Sequence, residues 1–241
     1  MDVHPFIASL PQVNEPKAYG DWIWNSFASV YTNPKTSGLF SYLLSASKDG
    51  RGLESPLDCM VLAYREHISA QNQSSFRKGI NYNFERCVQA PNEIQADVLS
   101  DHIYLTAQVK ATEALDGLAK VLLSPVLVTH PHILYESVST AFQIRSGEPS
   151  DSRNEATYNF ASRLMDVPMF ENEFFLEYLK LMLDSDPGAR VQILDKYAQR
   201  LTNAATTFST PEGAPSFNKA LDKISRKFPD VNELILAYQI K

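Results

Sequence analysis

The stretch from Glu93 to Leu123, EIQADVLSDHIYLTAQVKATEALDGLAKVLL, decides the fold class. Its apolar side chains Ile94, Val98, Leu99, Ile103, Val109, Leu115, Leu118 and Leu122, with Thr106 among them, recur at three and four positions rather than two. That is the period of an α-helix with one buried face. The spacing predicts a single long helix over residues 93–123. At about 1.5 Å per residue it would cross a whole domain as a central helix.

Outward from this stretch the same period continues. Toward the amino terminus, residues 16–31 align Tyr19, Trp22, Ile23, Phe27 and Val30, with Pro16 suited to the first turn. Residues 37–47 carry Leu39, Phe40, Leu43 and Leu44. Ser55, Pro56 and Asp58 open a third helix as a capping box, and Phe76, Ile80, Phe84, Cys87 and Val88 mark a fourth. Past Pro125, residues 126–132 read as a short extended piece. Helices follow near 131–144, 155–165, 171–183, 187–207, 216–228 and 230–239, with Asp186-Pro187 and Asp230/Glu233 as caps.

The expectation is therefore an all-α globular multi-helix bundle of about ten helices. No repeat of about 30–50 residues and no sustained heptad pattern is present, so a solenoid and a long coiled coil are both set aside. The polar run RSGEPSDSRN, residues 145–154, is the longest break. It predicts an amino-terminal bundle over 1–147 and a carboxy-terminal bundle over 148–241, with one continuous domain as the alternative. Residues 1–17 form an extended arm, because Pro5, Pro11 and Pro16 interrupt any regular helix there.

Composition narrows the function classes. The 241 residues carry 22 Lys and Arg against 28 Asp and Glu, a net charge of −6, and each half of the chain stands at −3. Phosphate neutralisation needs clustered Lys and Arg, so a globally basic nucleic-acid binder is not expected. The longest apolar run, Val121 to Val128, is interrupted by Ser124 and Pro125. It falls well short of the about 20 residues needed to span a bilayer. Cys59 and Cys87 lack metal or redox spacing. They read as buried reduced thiols, and with the absence of a secretory leader they point to a cytoplasmic protein.

Candidate chemistry centres on five histidines. His132 and Glu136 lie four apart, and His130 stands across a proline, so two imidazoles and a carboxylate share one neighbourhood. The Glu-x-x-His pattern of helical metal sites is missing, and no metal or cofactor is expected. Glu66-His67 and Asp101-His102 are adjacent pairs whose members face different ways on a helix. If the third and fifth helices pack together, His67, His102 and Tyr104 would line a small-molecule pocket. Arg65, Arg77, Lys78 and Arg86, interleaved with Tyr64, Phe76, Tyr82 and Phe84, would suit a nucleic-acid groove. Residues 163–186 hold six acids against two bases, as a solvated face or a docking face for a basic partner.

No nucleophile elbow, no Ser-x-x-Lys of the penicillin-binding type with its partner motifs and no phosphate loop occurs in the sequence. The function this supports is a non-catalytic acidic protein acting through protein contacts. The arm anchors Val3, Phe6, Ile7 and Leu10 must be covered by the arm's own domain or by a neighbour. Exchange with a neighbour would make the chain a homo-oligomer. The alternatives are a helical enzyme or small-molecule binder with a buried His/carboxylate pocket, and an RNA-coating helical protein.

Overall fold

Lys110 divides what its apolar spacing presents as one helix. In the computed structural model, helix α6 (Glu93–Gln108) ends there and α7 (Leu115–Val121) begins after a 3-10 turn at Thr112–Ala114. Lys110 holds a φ of 51°, the Ala111 N–H donates to Thr106 O at 3.0 Å, and the Lys110 N–H donates to Ala107 O at 3.2 Å. These two bonds are the Schellman closure of a helix end, normally built on glycine. The single long central helix over 93–123 is thus corrected to two helices joined by a left-handed lysine. The apolar period runs on through the break because Val109, Leu115, Leu118 and Leu122 are still buried or nearly so on both sides of it.

The structure describes residues 3–50, 52–89, 93–122, 130–145, 150–165 and 175–241. Thirteen α-helices and no strand occur among them, an all-α fold. Besides α6 and α7, the first half contains α1 (Pro5–Ala8), α2 (Pro16–Thr32), α3 (Gly38–Lys48), α4 (Pro56–His67), α5 (Gln73–Gln89) and α8 (Pro131–Arg145). The second half holds α9 (Ser150–Met165), α10 (Phe175–Ser185), α11 (Arg190–Thr207), α12 (Gly213–Lys227) and α13 (Asn232–Leu236). The chain forms two compact units, residues 1–152 and 153–241. The expected boundary at 147/148 and residues 126–129 of the expected extended piece lie outside the described residues, while Pro131 and His132 at its end open α8 instead.

In the first unit, α2 and α5 make the closest pairing. Gly20 and Gly79 face each other: a Cβ on Gly79 would stand 2.7 Å from the Gly20 nitrogen, so only glycine permits this approach. Asn83 Nδ2 donates to Gly20 O across the same contact at 2.8 Å. Around it Ile23, Phe27, Phe76, Ile80, Phe84, Leu99, Ile103 and Leu118 are fully buried. Such packing supplies most of the stability of helices that alone would be marginal. The capping box forms as read, with the Asp58 N–H donating to Ser55 Oγ at 3.3 Å and the Ser55 N–H donating to Asp58 Oδ2 at 3.2 Å. Cys59 and Cys87 are buried and unbridged, and burial pushes both thiols up to about 12.

The arm folds onto its own unit. Pro5 starts the four-residue α1, and Phe6 stacks on Trp22 at 4.8 Å and on Tyr42 at 5.2 Å. Ile7 and Leu10 are buried. Trp22 Nε1 donates to Ser9 Oγ at 2.9 Å, Tyr19 Oη donates to Pro11 O at 3.2 Å, and Ser75 Oγ donates to Asn14 Oδ1. Of the four apolar anchors only Val3 stays exposed, at 61%. The other three anchors are covered by the arm's own unit. A proline at a helix's first position, rather than as a breaker, is why a turn of helix appears in an arm expected to be extended.

In the second unit, α10 packs on α11 and α12, and α13 folds against α12. Asp186 Oδ1 accepts from the Gly188 and Ala189 N–H groups at 3.1 and 3.2 Å, the expected cap ahead of α11. The Asp230/Glu233 box does not form. Asp230 instead accepts from Arg190 Nη1 at 2.7 Å, and Arg190 lies over the Phe228 ring at 4.6 Å. The final helix is shortened to five residues, with Ile235 buried beneath it. Asn218 holds the chain after α13 at both polar atoms, donating to Ile240 O at 2.8 Å and accepting from Ile240 N–H at 2.9 Å.

Candidate docking groove

The sequence of α12, GAPSFNKALDKISRK, separates its faces sharply. Phe217, Leu221 and Ile224, with Phe228 just beyond, fall at helical spacing and are buried, while Lys219, Lys223, Arg226 and Lys227 are exposed. Between the two faces lie Ser216 and Ala220, four residues apart. Their small side chains leave a furrow against α10. One end, about 200 Å³, is apolar: Phe175, Leu176, Ala204, Phe208 and Phe217 line it, and the rings of Phe208 and Phe217 stack at 5.4 Å. The adjoining end, about 280 Å³, is lined by Lys180, Lys219 and Lys223 with Ile224. Glu177, Ser216 and Ala220 belong to both ends, so the two run on as one groove.

Charge along this groove is uneven. Among the described residues Glu177 is the one carboxylate that lines it, and it pairs with Lys180 at 3.6 Å. Asp184, farther along α10, accepts from Lys227 Nζ at 2.9 Å. The acids of α10 therefore answer lysines of their own unit. Asp166, Glu171 and Glu173, three of the six acids behind the expected docking face for a basic partner, lie outside the described residues. Neither Lys219 nor Lys223 stood out in the sequence. The signal that would have found them is two like charges four apart flanking an alanine on a strongly two-faced helix.

The histidine readings disperse. His102 is wholly buried among Trp24, Phe27 and Phe84, with Nδ1 2.6 Å from Val98 O. Burial, against the partial support of that hydrogen bond, holds its pKa down at about 4, so the ring is neutral and its Nδ1–H donates. Its neighbour Asp101 faces elsewhere and accepts from Tyr31 Oη at 2.7 Å; burial raises this carboxyl to about 6. His67 is exposed, and it lines a different cleft of about 430 Å³ between the arm and the end of α4, with Leu10, Gln12, Ile68 and Asn72. Tyr104 is exposed on α6 and donates to Glu136 Oε1 at 2.9 Å. His67, His102 and Tyr104 thus do not converge, because the helix rotation that buries His102 turns Tyr104 outward.

Glu136 is likewise taken away from the histidine pair. Its other oxygen accepts from Ser100 Oγ at 3.2 Å, while His130 and His132 meet edge to face at 5.9 Å. Among the described residues no group of three or more His, Cys, Asp or Glu side chains gathers in a geometry that would hold a metal.

The basic and aromatic set also separates. Tyr64, Phe76 and Phe84 are core residues. Arg86 pairs with Asp21 and is sandwiched between Tyr82 at 4.8 Å and Trp24 at 5.3 Å, and Arg77 reaches Glu113 at 3.7 Å. Arg65 and Lys78 are exposed.

No protein-family model, no curated protein and no solved structure matches this chain. No described helix is long and apolar enough to cross a membrane.

Proposed function

We propose that this chain is a non-catalytic helical protein that works through protein contacts, with the α10–α12 groove as its contact surface. The observation that carries the reading is the joined furrow itself: an apolar end and a lysine-lined end side by side on one helix pair. Apolar anchors set in a polar rim are the usual anatomy of a protein contact. The polar candidates of the first unit add support, since Arg77, Arg86, Asp101 and Glu136 each meet partners within their own unit.

A photo-crosslinking residue at Ala220 tests this in cells that express the protein. The expected result is a discrete heavier adduct from position 220 and none from exposed Thr202 on α11. No adduct, or equal labelling from both positions, would overturn the reading. A second reading, small-molecule binding, is favoured by the arm cleft, whose about 430 Å³ does fall in the small-ligand range. Native mass spectrometry of the purified chain tests it: a retained small molecule lost on Ile68→Trp supports the cleft, and a bare chain removes it. The RNA-coating alternative has the least support, because two of its four cations are matched by carboxylates.

A further inference from the structure

We infer that the groove takes an acidic amphipathic helix of a partner protein, an inference that rests on the docking function proposed above. Lys219 and Lys223 are exposed on one wall. Four residues apart, they are about 6 Å apart along the α12 axis. A helix laid in the groove repeats its own carboxylates at i and i+4 with that same rise, so each lysine meets one acid. Lys180, paired with Glu177 at 3.6 Å, stands on the opposite wall.

The apolar end supplies the seat. Leu176 and Phe208 are half-buried, and with Phe217 beneath them they present the surface that leucine or phenylalanine anchors of a helix would cover. Ser216 and Ala220 keep the floor low. Two helices approach to about 8–10 Å between axes only where the side chains at the crossing are small. A basic partner is repelled by the same lysines.

The test uses the intact chain and a displayed library of amphipathic helical peptides of about 16 residues. Leu or Phe is set at i, i+3, i+4 and i+7, and the outer positions vary among Glu, Lys, Gln and Ser. Selection is expected to enrich Glu, and a selected peptide is expected to bind roughly tenfold more weakly to the Lys219→Glu/Lys223→Glu variant and to weaken further with added salt. Both lysines are exposed, so the variant should keep the wild-type circular dichroism and melting point. Enrichment of Lys or of no charge, or equal binding by the variant, would overturn the acidic-helix inference. So would displacement of the selected peptide by a mixed-sequence oligonucleotide, which would give the groove to nucleic acid. An adduct at position 220 alongside any of these leaves protein docking standing, whereas the absence of that adduct removes docking itself.

Discussion

Gly79→Ala isolates the tightest contact of the first unit. A Cβ built there stands 2.7 Å from the Gly20 nitrogen and 2.7 Å from the Pro16 carbonyl oxygen. Both are backbone atoms, which no rotamer change can move aside. Ordinary contact needs about 3.5 Å, so α2 and α5 must part by roughly 0.8 Å. In an interior packed as densely as a crystal, such overpacking costs about 1–3 kcal/mol. An open helical site would instead gain about 0.5–1 kcal/mol from the same change. The clash outweighs the propensity gain, leaving a net loss of about 1–2 kcal/mol, or about 2–8 °C in Tm.

Urea unfolding followed by circular dichroism reads the change directly. Gly20→Ala meets Gly79 O at 2.8 Å and should act alike. The double variant should lose less than the sum, since one separation of the helices relieves both contacts. A Gly79→Ala protein as stable as wild type, or more so, would refute the argument that this crossing requires two glycines.

Other substitutions test other parts of the fold. Lys110→Gly should stabilise by about 0.5–1 kcal/mol, because it removes the left-handed cost of about 1–2 kcal/mol and adds back less in unfolded-chain entropy, while Lys110→Ala should change little. Equal effects of the two in urea unfolding would contradict the Schellman reading. His102, held at about 4 against an ordinary 6.5, binds its proton more readily when unfolded, so its contribution is complete above 6.5 and is lost as pH falls toward 4. Asp101, raised to about 6 from 3.8, keeps its proton longer when folded, so its contribution is present below 3.8 and lost as pH rises through 6. Melting curves between pH 4 and 7 should thus become less acid-sensitive than wild type in His102→Phe and more so in Asp101→Asn; parallel curves for all three would refute both assignments. Deleting residues 1–12 should lower Tm and leave the mass by light scattering unchanged, and a fall in mass would point to arm exchange.

What could be read from sequence was what acts locally. Ser55 and Asp58 cap α4 with atoms three residues apart, and Asp186 meets the two N–H groups just beyond Pro187. Four letters suffice for such a device. The stop at Lys110 left no mark, because the motif's usual glycine is absent and the apolar period continues beyond it. The pairing of Gly20 with Gly79 depends on which helices meet, as does the facing of Lys180 toward Lys219 and Lys223. Asp230 shows the competition plainly: as a cap it had one local partner, but Arg190, 40 residues earlier, offered a charged one. The groove stayed hidden for the same reason, since neither α10 nor α12 has a furrow by itself.

The strap also sets an order of events during synthesis. Phe6, Ile7 and Leu10 leave the ribosome before any surface that will cover them. Trp22 and Tyr42 follow, but the partner of Asn14 is Ser75, 61 residues later. At about 5–20 residues per second, these apolar side chains wait roughly 3–12 s before their last anchor is made. A nascent chain of this protein therefore carries these apolar anchors without their full cover for seconds, a natural target for chaperones that meet polypeptides at the exit tunnel.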